Sequence, residues 1–159
     1  MGVRQMTTSS ITSRRSLHLV DLENLVGDPF APCALTLAAF DDYLALAGWE
    51  PGDHVIVASN RFLIGKVAFD LPVPCNLHAT RGRDGADLML LSLAPPELVA
   101  RRYGRLVVGS GDWIFAARAE HARELGVQVQ VVARADGCSR QLHQFDPIYL
   151  PLDPHALAA

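Results

Sequence analysis

Short apolar runs alternate with longer stretches of helical periodicity along this chain. Runs that are mostly apolar predict strands buried on both faces, and apolar residues spaced three and four apart predict the helices between them. The predicted strands cover residues 16–21, 54–59, 75–80, 105–110, 127–134 and 147–150. The predicted helices cover residues 34–47, 61–69, 86–93, 95–103, 112–125 and 138–145, with a Gly- and Pro-containing loop at 25–32.

This order of strands joined by helices predicts an α/β fold: a three-layer sandwich with a doubly wound, mostly parallel central sheet. The length of 159 residues suits one domain, which we expect to cover residues 16–150. Residues 1–15 are polar and rich in Ser and Thr, so we expect a flexible tail there and a second tail at residues 151–159. No apolar run approaches the length of a bilayer span, so no membrane partner is expected.

Composition argues against non-specific nucleic-acid binding through a basic surface, because the formal net charge is −3. The 14 basic residues include a single lysine, Lys66. Arginine binds phosphate better than lysine does, because its planar guanidinium can donate two hydrogen bonds to one phosphate. The abundance of Ala and Arg together also fits a bias in the coding sequence. Cys33, Cys75 and Cys138 are odd in number and far apart, so they predict neither disulfides nor a zinc site and indicate a reducing cytoplasm.

Acidic residues stand at the ends of the predicted strands and at the start of a helix. Asp21 ends the first strand, Asp112 follows the strand at 105–110, and Asp84 and Asp87 open the helix at 86–93. The carboxyl ends of neighbouring parallel strands meet at one crevice, where ligands bind. Acidic groups gathered there repel one another unless a cation lies among them, and a hard divalent ion with phosphate as its partner is the usual solution. The pattern predicts a metal site that acts on phosphate.

Other side chains near these acids suggest contacts with a phosphate-containing substrate. Arg81 and Arg83 either bind the phosphate backbone or only offset local negative charge. Trp113 either stacks on a base or packs against the fold. Ser110 is expected to cap the following helix and to contact the shell of the metal or substrate.

Each acid also has a purely structural interpretation. Asp87 and Asp112 are suited to helix capping, which is a common role for aspartate. Asp84 is suited to the turn in Arg-Asp-Gly, and Glu23 to a solvated loop. The combination with Asp21 at a strand end favours the metal site over these separate explanations.

Three segments resemble the NYN domains, which belong to the PIN-like nucleases. They are VDLENL at residues 20–25, DGADLMLL at 84–91 and VVGSGDWIFAARAEHARELGVQVQVVAR at 107–134, and the resemblance spans about residues 16–145. It implies an open parallel sheet of the PIN-like kind, a Mg²⁺ or Mn²⁺ site, and metal-dependent cleavage of RNA phosphodiester bonds. The expected function is therefore a metal-dependent endoribonuclease with RNA as partner, and both a monomer and a homodimer remain open.

The resemblance assigns roles to individual residues. Asp21 matches the acid after the first strand of the family, Asn24 its asparagine, Asp87 the acid of Gly-x-Asp, and Asp112 the acid of Ser-Gly-Asp. These four are the implied catalytic residues, and the three aspartates are the implied metal ligands. Glu23 and Asp84 are the candidates for an additional acid.

One departure from the family pattern favours an alternative function. Many members carry a further acid two residues after the Ser-Gly-Asp aspartate, where this chain has Ile114, and residues 90–94 also lack an acid. The alternative is a catalytically degraded PIN-like domain that binds RNA or a protein. A dinucleotide-binding motif is not present, because the third Gly of G-x-G-x-x-G would fall at Ile114.

Overall fold

The computed structural model describes residues 14–151 of the chain. Its six strands form one parallel sheet in the order β3-β2-β1-β4-β5-β6. The strands are β1 Ser16–Asp21, β2 His54–Asn60, β3 Asn76–Thr80, β4 Arg105–Gly109, β5 Gln128–Arg134 and β6 Ile148–Leu150. The helices are α1 Leu22–Val26, α2 Cys33–Ala47, α3 Arg61–Val67, α4 Gly85–Leu93, α5 Pro96–Arg102 and α6 Ala116–Glu124.

The predicted α/β sandwich is confirmed, and the sheet is parallel throughout. Three local expectations were wrong. The expected loop at 25–32 is preceded by the short helix α1, because the Asp21 carboxylate accepts the Asn24 N–H and Gly27 ends the helix with φ 78°. The expected helix at 112–125 begins as a 3₁₀ turn at Trp113–Phe115 before α6, and residues 140–145 also form a 3₁₀ helix.

Strand β1 lies at the centre of the sheet, and each of its residues is buried. Its side chains alternate between the two faces: Leu17 and Leu19 pack in the core cluster that includes α4, α5 and α6. Val20 packs in the other cluster, which includes α1, α2 and α3. A strand covered on both faces must be almost wholly apolar, which explains why β1 reads as an apolar run in the sequence.

The direction of strand succession reverses next to β1. Strands β2 and β3 extend the sheet on one side of β1, whereas β4, β5 and β6 extend it on the other. The connections leaving β1 and β4 therefore diverge to opposite faces and open a crevice at the carboxyl ends of these two strands. This topology brings Asp21, at the end of β1, and Asp112, just after β4, close together at the carboxyl edge of the sheet.

The opposite edge of the sheet carries a buried polar network centred on His18. The His18 ring is fully buried, with Nδ1 2.8 Å from the Tyr43 hydroxyl and Nε2 3.2 Å from Asp53 Oδ2. A carboxylate only accepts hydrogen bonds, so Nε2 carries the proton and Tyr43 donates to Nδ1. Asp53 Oδ1 also accepts the Ser16 N–H at 2.8 Å. The network ties β1, α2 and the start of β2 together, and its members satisfy one another.

Most of the two predicted tails lies outside the described residues, at 1–13 and 152–159. Of the expected amino-terminal tail, Arg14 donates to the Ala100 carbonyl at 3.2 Å, and the Arg15 carbonyl accepts the Gly104 N–H at 3.2 Å. Between residues 14 and 151, none of the helices has the length and apolar character that crossing a membrane requires.

The His18 network generates a pH prediction. Burial lowers the pKa of His18 below its ordinary value of 6.5, so the unfolded chain takes up a proton that the folded protein resists, and the stabilisation decreases as pH falls below that value. We expect the stability advantage of the wild type over His18→Gln to shrink by about 1 kcal/mol between about pH 7.5 and 5.5, measured by urea unfolding. The control is His143→Gln at an exposed position. A difference for His18→Gln that does not change with pH would contradict a neutral buried ring.

Candidate metal centre

An acidic cavity of about 350 Å³ opens at the carboxyl edge of the sheet. It lies where the connections leave β1, β3 and β4, which is the place that the reversal of strand order predicts. Its acidic lining residues are Asp21, Glu23, Asp84, Asp87 and Asp112. The topology thus gathers the three predicted metal ligands and both candidate additional acids around one space.

Asp87 is the most constrained of these acids. It lies in the first turn of α4 and is only 3% exposed. Its Oδ1 atom is buried, and no donor among the described residues reaches it. Burial, and after it the neighbouring Asp21 carboxyl, raises the pKa of Asp87 to about 8. Without a cation, this carboxyl therefore holds a proton near neutral pH.

Asp21 stands directly against Asp87. Its carboxyl caps α1 by accepting the Asn24 N–H at 3.1 Å. The Asp87 carboxyl lies beside it, and each of the two changes the pKa of the other. Burial raises the pKa of Asp21 as well, although the neighbouring Asp87 carboxyl and the Asn24 N–H oppose that rise. The titrations of the two carboxyls are therefore coupled, and the protonation of one depends on the charge of the other.

Asp84, Asp87 and Asp112 each offer a carboxylate oxygen, and these oxygens lie within 4.8 Å of one another. Asp84 adopts a left-handed backbone with φ 59°, which aspartate tolerates, and its side chain makes no capping hydrogen bond to α4. The turn interpretation of Asp84 is therefore correct for its backbone, yet its carboxylate also joins this group. Direct ligation by Asp21 stays a prediction, because Asp84 occupies the third position of this oxygen cluster.

Asp112 caps the 3₁₀ turn that follows it, accepting the Ile114 N–H at 3.0 Å. The expectation that Ser110 caps this helix and contacts substrate needs correction. Ser110 is fully buried, and its hydroxyl accepts the Asp112 N–H at 3.2 Å. Its hydroxyl therefore supports the backbone beneath Asp112 and does not face the cavity.

Asn24 connects α1 to the segment after β4. Its Oδ1 accepts the Gly111 N–H at 2.8 Å, so the amide positions the Ser-Gly-Asp turn while still lining the cavity. Gly111 is required for close packing, because a Cβ atom there would lie 2.2 Å from the Gly137 carbonyl oxygen. Since Asn24 and Ser110 accept the N–H groups of Gly111 and Asp112, these two donors are not free for an anion.

Glu23 has a structural role beside its place in the cavity. Its Oε1 accepts the Asn60 N–H at 3.0 Å, at the point where β2 passes into α3. Asn60 in turn caps α3 by accepting the Leu63 N–H. The solvated-loop interpretation of Glu23 is therefore wrong, because the residue belongs to α1 and is tied to the end of β2.

The residues that we predicted to bind substrate differ in their position relative to the cavity. Arg83 lines the cavity, whereas Arg81 is exposed on the same turn and is not among the lining residues. Trp113 is 61% exposed immediately after Asp112, so its indole ring is available for stacking. Of these three side chains, only that of Arg83 lines the cavity.

Arg134 lines the cavity but was missed by sequence reasoning. It is the last residue of β5, which pairs with β4 on the side away from β1. The available signal was a charged residue directly after an apolar strand, the same signal that identified Asp21. A single basic residue in that position has many explanations until the strand order is known.

Comparisons with known proteins support the fold alone. No family model matches the chain, and no curated protein matches its sequence. The crystal structure of a protein of unknown function from Vibrio parahaemolyticus superposes with a TM-score of 0.63 at 16% identity, covering 91% of this chain and 96% of that one. The similarity extends over nearly the whole fold, and the resemblance to NYN domains stays a prediction.

The raised pKa of Asp87 predicts how the metal-free protein responds to pH. Its carboxyl is protonated in the folded protein up to about pH 8 but only up to about pH 4 when unfolded, so the free energy of unfolding is lowered as pH rises between these values. We expect Asp87→Asn to raise the free energy of unfolding in EDTA at pH 8 by roughly 1–3 kcal/mol, and by less at pH 5.

Chemical denaturation at both pH values measures this effect. Asp70→Asn, at an exposed acid outside the cavity, is the matched control. Equal stability of Asp87→Asn and the wild type at pH 8 would show that the Asp87 carboxylate is not under electrostatic stress.

Proposed function

We propose that this protein is a metal-dependent endoribonuclease that hydrolyses RNA phosphodiester bonds at the acidic cavity, with Mg²⁺ or Mn²⁺ as its cofactor. The observation that carries the proposal is the buried Oδ1 of Asp87, which lacks a partner in the described part of the chain. Leaving such an atom without a partner costs about 1–3 kcal/mol. A cation beside it would remove that cost and the repulsion among the neighbouring acids.

The chemistry of the donor set fits this cofactor. The carboxylate oxygens of Asp84, Asp87 and Asp112 lie within 4.8 Å of one another, and carboxylate oxygens suit Mg²⁺ and Mn²⁺. These residues would hold the ion, with Asp21 at their edge. A bound divalent ion supplies Lewis-acid activation of a phosphoryl oxygen and of the attacking water.

The remaining residues of the site orient these ligands. Asp21 lies beside the Asp87 carboxyl and affects its pKa, and Asn24 positions the turn that carries Asp112 by accepting the Gly111 N–H. Such supporting contacts commonly change metal affinity or activity by 10- to 100-fold when they are removed. When its proton is displaced, Asp87 offers a carboxylate that can accept a hydrogen bond from water in the cavity.

RNA as the substrate rests on the resemblance to NYN domains and is supported by the surroundings of the cavity. Arg83 offers a guanidinium for phosphate, and the exposed Trp113 offers a ring for base stacking. The three cysteines are free thiols, which supports a reducing cytoplasm as the place of action.

A second candidate function is RNA or protein binding without cleavage. Ile114, at the position where many NYN domains carry a further acid, is partly buried and packs against the core. The side chain therefore completes the hydrophobic packing and supplies no ligand. This observation favours a single-ion site if the protein is active, and a binding module if it is not.

Asp112→Asn separates the two functions. The substitution preserves shape while removing the charge that a divalent ion requires, so cleavage of a pool of single-stranded and structured RNAs in Mn²⁺ should fall by more than about 100-fold. Binding of RNA, measured by fluorescence anisotropy, should be largely retained, and Asp70→Asn should behave as the wild type. Titration calorimetry should detect saturable Mn²⁺ binding to the wild type.

Two outcomes would contradict catalysis at this site. One is equal cleavage by the wild type and Asp112→Asn at saturating Mn²⁺. The other is RNA binding by the wild type with no cleavage and no saturable Mn²⁺, which would establish the binding module.

The two arginines of the β3–α4 turn give a separate prediction on substrate binding. If both contact phosphates, Arg81→Ala with Arg83→Ala should flatten the salt dependence of RNA binding by up to about two units of slope, and by less for single strands. Arg83→Ala alone should account for the larger share, because Arg83 lines the cavity and Arg81 does not. Protein stability should barely change. An unaltered slope would limit these residues to local charge balance.

A further inference from the structure

We propose that Arg134 forms the phosphate-binding position of the cavity and receives the non-bridging oxygens of a substrate phosphodiester. This inference rests on the function proposed above. Arg134 ends β5 and lines the same cavity as Asp84, Asp87 and Asp112. It reaches the cavity from the side of β5, whereas Arg83 reaches it from the turn before α4.

The Arg134 guanidinium is seated on Gly27, the C-cap of α1. A Cβ atom built at Gly27 would lie 1.1 Å from Nη1 of Arg134 and 2.2 Å from its Cζ. The guanidinium thus occupies the space that any side chain at position 27 would fill. Gly27 also has a φ of 78°, a backbone conformation that glycine adopts without strain. Glycine at the end of α1 therefore leaves room for the guanidinium beside the cavity.

One hydrogen bond fixes the guanidinium and leaves other donors available. Nη2 of Arg134 donates to Asp136 Oδ2 at 2.6 Å, and within the described chain the remaining guanidinium nitrogens make no hydrogen bond. The Arg134 side chain is 30% exposed, so a ligand in the cavity can reach these donors. A planar guanidinium with two free N–H groups matches two oxygens of a phosphate.

Two simpler explanations of Arg134 account for less of the geometry. An arginine that served as counter-ion of the acidic cluster would pair with one of its carboxylates, but among the described residues the ion pair of Arg134 is with Asp136. That pair is partly exposed, is worth at most about 1 kcal/mol, and engages only Nη2 of the guanidinium. A ligand phosphate would use the donors that both explanations leave without a partner.

The test uses Arg134→Ala and Arg134→Lys, with Arg140→Ala as the control at an exposed arginine outside the cavity. Affinity for a short fluorescein-labelled single-stranded RNA is measured in Mn²⁺ in the Asp112→Asn background, where cleavage does not interfere. We expect Arg134→Ala to weaken binding by about 10- to 100-fold and to lower the salt slope by about 0.7. Arg134→Lys should recover the salt slope but only part of the affinity, because it lacks the planar fork.

Further readouts separate a phosphate contact from a role in charge balance. In the otherwise wild-type protein, where Asp112 is present, Arg134→Ala should leave the melting temperature within a few degrees of the wild type and should keep saturable Mn²⁺ binding. Unchanged RNA affinity and salt slope would overturn the inference, and tighter Mn²⁺ binding together with them would make Arg134 a counter-ion of the acids. Cleavage by the otherwise wild-type protein is scored separately, so a loss of the proposed nuclease function is distinguishable from a failure of the Arg134 contact.

Discussion

The pairing of β1 with both β2 and β4 is the constraint on which the rest of the structure depends. It buries β1 on both faces and reverses the strand order beside it. The same pairing brings the residues after β1 and β4 to one edge. Helix α4 begins at this edge, with Asp84 directly before it and Asp87 in its first turn. The acidic cavity is therefore a consequence of strand order and not of any local motif.

Buried polar groups have hydrogen-bond partners at one edge of the sheet and lack one at the other. At the amino edge, His18, Tyr43 and Asp53 satisfy one another, as is usual for polar groups in a core. At the carboxyl edge, Asp87 keeps a buried oxygen without a partner in the described chain and stands against Asp21. Trp49 Nε1 and the Ser59 hydroxyl are also buried without a partner among the described residues, but Asp87 differs from them because it is titratable, lines a cavity and has a raised pKa. A titratable group with a perturbed pKa in a cleft is typical of a functional site.

Hydrogen bonds from uncharged side chains position the turn that carries Asp112, and they leave the charge of the site unchanged. Asn24 accepts from Gly111, and Ser110 accepts from Asp112, so the turn after β4 is positioned by an amide and a hydroxyl. The absence of a side chain at Gly111 lets the segment near Gly137 pack against this turn, and the same absence at Gly27 makes room for Arg134. Among the described residues, neither Arg83 nor Arg134 forms an ion pair with the acids of the cavity.

The sequence by itself determined the order of the strands and helices and the acids Asp21, Asp87 and Asp112, because periodicity and position after an apolar run are local properties. The short helix α1 escaped prediction, since five residues carry too little periodicity and the helix depends on its cap and on Gly27. Only the tertiary structure decided that Asp84 joins the oxygen cluster, that Ser110 is buried and that Arg134 reaches the cavity. These outcomes depend on which strands become neighbours and on how turns direct their side chains, and neither is encoded within a few residues of the chain.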